Sequence, residues 1–434
     1  MADWSVNNRY MLGGPIRVAT NGYVLTTNYT ELIGLGLSQN DVGSVAQDAF
    51  GRVRVSSPTV LFDSVNQYTT NHFWATKVIS GGSITHLPNE SSVRMDVGTT
   101  SGDRVVRQSK KYFKYQAGKS QLIVMTGVFA PKTNVSQSMG YFDDKNGIFL
   151  NHNGVNLNII KRSFITGSVV NITVPQSTWN IDKLDGTGKS SYEIDITKAQ
   201  IFFIDLEWLG TGKVRCGFYI NGVPYVAHQF SHFNELSSVY MTTANLPIRY
   251  EITNTGTTAN ATFLKQICAS VVSEGGIDET SGHTHSANNG VTAIAVTTRR
   301  PVLSIRPKAT FGGVTNRVII EPLEHNILAN DIDCLYEIVQ GGALGAASFN
   351  SVDADSATEY DVSATTITGG HIICSGYVPA TRNRSNIFHR EYKAVRSITL
   401  DIDGANPENL TIVCTSKTGV ASNILSSLTW KETA

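Results

Sequence analysis

Charged side chains are scarce in this chain of 434 residues. Asp, Glu, Lys and Arg make up 16% of the sequence, and 35 basic residues balance 35 acidic ones, so the formal net charge is zero. Long solvent-exposed helices need Glu, Lys and Arg on their wet faces. Nucleic-acid coat proteins need an excess of positive charge to neutralise phosphates. The low, balanced charge therefore argues against a helical protein and against a nucleic-acid partner.

Long apolar runs and paired cysteines are also missing. No stretch approaches 18 uninterrupted apolar residues, so we expect no membrane span. The opening residues, MADWSVNNRYML, lack the basic region and apolar stretch of a secretory signal. The five cysteines form no CxxC pair and are odd in number, which favours reduced thiols in a protein made in a bacterial cytoplasm.

Small uncharged polar residues supply the polarity that charges do not. Ser, Thr and Asn account for 115 of the 434 residues, and there are 38 glycines. The 41% of apolar residues are enough to form a core, which argues against a disordered chain. Strands and turns favour this composition, so we predict an all-β protein.

Strand and turn signals divide the chain into four segments. Residues 1–48 show no sustained period and are interpreted as an extended N-terminal assembly arm. Residues 49–273 carry a strand signal about every ten residues, including the meander QIFFIDLEWLGTGKVRCGFYINGVPYVAHQF, and predict a jelly-roll β-sandwich. Residues 274–292 are polar and aperiodic and are interpreted as a linker. Residues 293–434 predict a second, smaller β-sandwich.

Two pairs of carboxylates are candidates for hydrolase chemistry. The segment from Glu193 to Asp195 resembles the ExDxxE strand of jelly-roll glucanases, in which two carboxylates about 5 Å apart cleave the sugar. A lysine, however, occupies its third carboxylate position. Asp205 and Glu207 form the second pair, beside Trp208. Solvated carboxylates on an open strand face are common, so we predict no enzyme activity and retain Trp208, Asp205 and Glu207 as candidate glycan contacts.

Two histidines are spaced as metal ligands. His283 and His285 point the same way if their segment is extended. In a threefold fibre they would place six imidazole nitrogens around an axial transition metal, and the pattern resembles the HxH sites of phage tail-fibre shafts. The alternative, which we favour for so short a motif, is a polar linker with two exposed histidines. We expect no other cofactor.

Several longer motifs resemble one family. The segments AFGRVRVSSPTVLFDS, IFFIDLEWLGTGKVRCGFYINGVPY and YDVSATTITGGHIICSGY resemble virion structural proteins of tailed bacteriophages that infect aquatic bacteria. The likeness extends over residues 50–434. Residues 49–273 also resemble concanavalin- and laminin-G-like jelly rolls through the FYINGVPY hairpin. The family resemblance implies a place in the virion and supplies no catalytic residue.

These observations lead to one main hypothesis and two alternatives. The main hypothesis is a non-enzymatic tail, fibre, neck or capsid-surface protein of a virion, acting as a homo-oligomer, preferably a trimer, with other virion proteins as partners. The first alternative is an adhesin that recognises a host surface glycan. The second is a polysaccharide depolymerase that uses Glu193 and Asp195, or Asp205 and Glu207.

Overall fold

A computed structural model describes residues 58–276, 282–380 and 397–433 of the chain. These residues form β-strands joined by turns, with two 3₁₀ turns at Pro88–Glu90 and Gln176–Thr178 and no α-helix. In these ranges no helix is long and apolar enough to cross a membrane. The all-β prediction is confirmed. The predicted arm, residues 1–48, lies outside the described residues.

The described residues form two compact units. The first consists of residues 58–109 and 115–276. The second consists of residues 110–114 and of the described part of 282–433.

The first unit contains fifteen strands among its described residues. In chain order they are β1 (Thr59–Ser64), β2 (Trp74–Ile79), β3 (Ser83–Leu87), β4 (Ser92–Val97), β5 (Arg104–Ser109), β6 (Gln121–Phe129), β7 (Val135–Phe142), β8 (Gly147–His152), β9 (Leu157–Ser163), β10 (Val170–Pro175), β11 (Gln200–Leu206), β12 (Val214–Ile220), β13 (Val223–Phe230), β14 (Ile248–Asn254) and β15 (Thr262–Ser273).

These strands form two antiparallel sheets. The eight-stranded sheet has the order β13-β12-β11-β6-β15-β4-β3, and β1 also pairs with β15. The seven-stranded sheet has the order β10-β9-β8-β7-β14-β5-β2. Tyr250 on β14 crosses the core, because its Oη lies within hydrogen-bond distance of the carbonyl oxygens of Thr126 (3.0 Å) and Cys268 (3.1 Å) on the opposite sheet. The predicted jelly-roll sandwich is therefore present.

The strands β11, β12 and β13 form the meander that the sequence predicts. Asn221 and Gly222 join β12 to β13 with φ values of 50° and 80°, the left-handed conformation that a tight hairpin requires. On β11, Phe202 and Ile204 alternate into the core and are fully buried.

The second unit is built from shorter strands. In chain order its described strands are β16 (His283–Asn288), β17 (Ile294–Val296), β18 (Arg300–Pro307), β19 (Thr310–Phe311), β20 (Val314–Thr315), β21 (Ile319–Ala329), β22 (Cys334–Gln340), β23 (Ala343–Gly345), β24 (Asn350–Ser351), β25 (Thr358–Asp361), β26 (Thr366–Thr368), β27 (His371–Val378), β28 (Leu410–Ser416) and β29 (Ser422–Thr433).

Two larger sheets share the core of the second unit. A six-stranded sheet has the order β24-β25-β18-β28-β22-β27, and a four-stranded sheet places β29 between β16 and β17 on one edge and β21 on the other. Ile338 and Ile412 from the first sheet and Ile327, Leu428 and Trp430 from the second lie in one buried cluster. A smaller second sandwich is therefore present, as predicted.

One boundary differs from the prediction. Strand β16 lies inside the predicted linker 274–292, and all six of its residues pair with β29. Its polar composition resembles a linker because five of its six side chains are exposed or only partly buried, and Ala287 alone is buried. The partner strand lies almost 150 residues away in sequence, so local composition does not reveal the pairing.

Candidate functional site

The predicted glycan contact Asp205 is enclosed. It lies opposite Arg215 in the register of β11 and β12, and the Arg215 Nε donates to Asp205 Oδ2 at 2.9 Å. Both side chains are fully buried. The expectation of a solvated carboxylate on an open strand face is therefore wrong for Asp205, because this carboxylate is buried against Arg215.

Glu207 is also buried, and Trp208 beside it is partly buried. Tyr115 Oη donates to Glu207 Oε1 at 3.3 Å, and Glu207 is buried. The Trp208 ring meets the Tyr115 ring edge to face, with 5.9 Å between ring centroids. Burial and the Glu207 carboxylate raise the pKa of Tyr115 to about 12, so its hydroxyl stays protonated and donates. Glu207 is therefore closed to a ligand, whereas a glycan contact at the partly exposed Trp208 stays a prediction.

The Glu193 and Asp195 pair lies in a loop and not on a strand. Asp195 Oδ1 accepts hydrogen bonds from Thr197 Oγ1 at 2.5 Å and from the Thr197 N–H at 2.9 Å. These bonds lower the pKa of Asp195, which suits a turn cap and opposes a role as a proton donor. Glu193 takes part in an isolated β-bridge with Asp185.

The two histidines of the HxH motif lie on β16. His283 is exposed, whereas the His285 ring lies between two carboxylates. Its Nδ1 is 3.1 Å from Asp353 Oδ2, and its Nε2 is 3.8 Å from Glu432 Oε2. Within the described ranges no three His, Cys, Asp or Glu side chains converge as a metal site. A site shared by three chains stays a prediction.

A different feature of the first unit has the shape of a binding site. It is an open cleft of about 310 Å³ between the ends of β8, β9 and β10, the 3₁₀ turn Gln176–Thr178 and the loop 182–199. Polar and apolar groups line it in equal number: His152, Asn156, Gln176, Ser177 and Asp185 on one hand, and Val155, Leu157, Pro175, Ile194 and Ile196 on the other.

Three polar groups of this cleft are held in place by the protein. Asp185 Oδ1 accepts from Thr187 Oγ1 at 2.6 Å and from its N–H at 2.9 Å, which lowers the Asp185 pKa and keeps it ionised. Gln176 Nε2 donates to the carbonyl oxygens of Lys183 at 3.1 Å and Leu184 at 2.9 Å. These bonds leave Gln176 Oε1 as an acceptor.

His152 supplies the third fixed group. Its Nδ1 accepts the Gly154 N–H at 3.1 Å, so Nε2 carries the proton of the neutral ring. Burial lowers the pKa of His152, which keeps the ring neutral. The cleft therefore combines a carboxylate, an amide acceptor and an imidazole donor with apolar side chains.

Sequence reasoning missed this cleft. Its residues come from four separate segments between His152 and Ile196 and form no motif. The visible signals were turns only, such as Asn153-Gly154, and they reveal where strands end but not which strand ends come together.

Comparison with known proteins assigns no residue role to this chain. No family model and no curated protein matches the sequence. Similar solved structures include the Bacillus licheniformis β-glucanase (10% identity, 48% of this chain and 96% of that chain, TM-score 0.32). They also include the Emp47p carbohydrate recognition domain (12% identity, 50% and 97%, TM-score 0.31) and a Bauhinia forficata lectin in complex with GalNAc (10% identity, 50% and 98%, TM-score 0.29). At these identities no residue role carries over to this chain.

One expectation is corrected by these neighbours. Glucanases, a transglycosylase and a glycosidic hydrolase are among them, which contradicts the prediction that the chain is no enzyme. We withdraw that prediction.

Proposed function

We propose that the first unit binds a saccharide in the cleft between His152 and Asp185. The observation that carries this proposal is the fixed polar set among apolar lining residues. Binding pockets combine apolar walls with a few well-placed polar groups that orient the ligand. Sugar hydroxyls both donate and accept hydrogen bonds, and sugar C–H groups pack on apolar surface, so this lining suits a sugar ring.

The cleft is organised before any ligand arrives. Asp185 is held by Thr187, and Gln176 is held by two backbone carbonyls. A ligand therefore does not have to immobilise these side chains, and this lowers the entropic cost of binding. Exposed polar side chains on an ordinary loop would not provide this advantage.

The test is a glycan array followed by titration calorimetry with the strongest hit. We expect Asp185→Ala to weaken binding about tenfold or more, since a hydrogen-bonded acceptor is lost from the site. Asp195→Ala is the matched control, because Asp195 caps Thr197 with the same geometry in the same loop but does not line the cleft. The proposal fails if no glycan binds, or if both variants bind as tightly as the unaltered chain. Product analysis of the same mixtures measures whether a bound saccharide is also cleaved.

We also propose that the protein acts on a virion surface. The support is the sequence resemblance over residues 50–434, and a saccharide-binding unit is consistent with attachment to a host surface. Immunogold labelling of purified particles tests this placement, and unlabelled particles beside a labelled major coat control would contradict it.

A further inference from the structure

Strand β10 is an exposed edge of the seven-stranded sheet. Among the described strands it pairs with β9 alone, on one side. Four apolar side chains on β10 and on the hairpin before it are between 41% and 48% exposed: Ile165, Val169, Val170 and Ile172. An edge strand of this kind presents unpaired backbone groups and apolar side chains together.

The edge of β10 is open, whereas another edge of the same unit is covered. On β13, the N–H groups of Ile181 and Asp182 both donate to the Ala227 carbonyl at 3.1 Å and 3.0 Å. Within the described part of the chain, hydrogen bonds from outside the β9 ladder reach the backbone of β10 at its last two residues only. Trp179 Nε1 donates to Val174 O at 3.2 Å, and Thr178 Oγ1 donates to Pro175 O at 2.9 Å.

Strand β10 also lacks the features that protect sheet edges. Proteins discourage edge-to-edge pairing with charged residues, prolines and bulges. The sequence VNITVP has no charged residue, and its one proline is the last residue of the strand. All six residues of β10 pair with β9 without a bulge, so the strand is regular as well as uncharged.

These features fit a second copy of the same strand. An antiparallel edge is complementary to itself about a two-fold axis, and a two-fold interface uses the same patch on both subunits. Like charges that face each other across strands are destabilising, and an uncharged strand brings none together. We infer that β10 pairs with β10 of a second copy, which joins two seven-stranded sheets and covers Ile172 at the axis.

The oligomeric state of the full chain tests this inference. Analytical ultracentrifugation at micromolar concentration should give twice the 47.0 kDa mass of the chain. Ile172→Lys should raise the dimer dissociation constant roughly tenfold or more, because two lysines then meet at the axis. Val170→Lys should also raise it, because it places a charge in the interface away from the axis. Val223→Lys is the matched control, since Val223 is an apolar residue of similar exposure on another hairpin.

Three outcomes would overturn the inference. They are a monomeric chain, a trimeric chain, and a dimer that both lysine variants leave intact. Circular dichroism and thermal unfolding establish that each variant is folded, so that a loss of dimer is not confused with a loss of structure. Glycan binding is a separate measurement, and its failure would leave this inference standing.

Discussion

The two units bury charged side chains in different ways. In the first unit, Asp205 is buried against Arg215, its direct cross-strand neighbour. In the second unit, buried Glu432 is surrounded by uncharged donors. Its two oxygens accept four hydrogen bonds of 2.6 to 2.8 Å, from Ser356 Oγ, Thr358 Oγ1, the Ala357 N–H and Trp430 Nε1.

The difference determines what is left behind when one partner is removed. Loss of Arg215 leaves the buried Asp205 charge without its cation, and an unpaired buried charge is strongly destabilising. Loss of the Glu432 charge leaves neutral donors without their acceptor. Each unsatisfied neutral donor lowers the free energy of unfolding by less than an unpaired buried charge does. Burial raises the pKa of Glu432, but the four donors lower it further, so its net pKa is below the ordinary value. The four neutral donors therefore hold the pKa of this carboxylate low and keep it ionised.

Removal of the buried cation is expected to have the largest effect. Arg215→Met should destabilise the first unit by about 3–5 kcal/mol, since Asp205 then lacks its cross-strand cation. Hydrogen exchange followed peptide by peptide measures this loss, and peptides of the second unit provide the internal reference.

A double variant separates the charge from the packing. Asp205→Leu combined with Arg215→Met replaces the ion pair with apolar groups, and such exchanges are often neutral or stabilising. We expect it to recover most of the lost stability. If the double variant is as unstable as Arg215→Met alone, the cost comes from packing and the comparison between the units fails.

Removal of the buried anion should cost less. Glu432→Gln keeps the shape but replaces one acceptor oxygen with an NH₂ group that faces donors. We expect a loss of about 2–3 kcal/mol, confined to the second unit, since buried groups are left unsatisfied. Chemical denaturation with hydrogen exchange measures it. A loss larger than that of Arg215→Met would reverse the proposed order, and Glu324→Gln, at a partly exposed position on β21, is the control.

The sequence predicted the fold better than the site. Alternation on β11 and the Asn221-Gly222 turn were sufficient for the meander, because both are local signals. The same alternation placed Asp205 on an open face, since a strand pattern shows which residues share a face but not what covers that face. The cleft at His152 and Asp185 forms where four separate segments come together in the fold, and no short sequence motif predicts that arrangement.

Buried basic groups extend the comparison to pH. In the first unit, Lys161 Nζ lies 2.7 Å from His232 Nε2, and His232 Nδ1 lies 2.7 Å from the Gly212 carbonyl oxygen. Nδ1 therefore donates and Nε2 accepts, so His232 is neutral in this arrangement. Burial and the Lys161 charge lower the pKa of both His232 and its neighbour His228. In the described part of the second unit, burial lowers the pKa of His325 to about 4.

Acid should therefore weaken the first unit more than the second. Burial and Lys161 lower the pKa of His228 to about 4, against about 6.5 in the unfolded chain. The contribution of neutral His228 to the stability of the first unit is fully present above pH 6.5. It declines as the pH falls towards 4, because the unfolded state binds the proton first. From these values, His228 alone lowers the free energy of unfolding of the first unit by about 2 kcal/mol at pH 5. His228→Gln should flatten the pH dependence of the first unit by that amount, and His325→Gln should do the same in the second. Equal acid sensitivity of the two units, measured by hydrogen exchange between pH 7 and pH 5, would show that the Lys161 and His232 pair adds nothing.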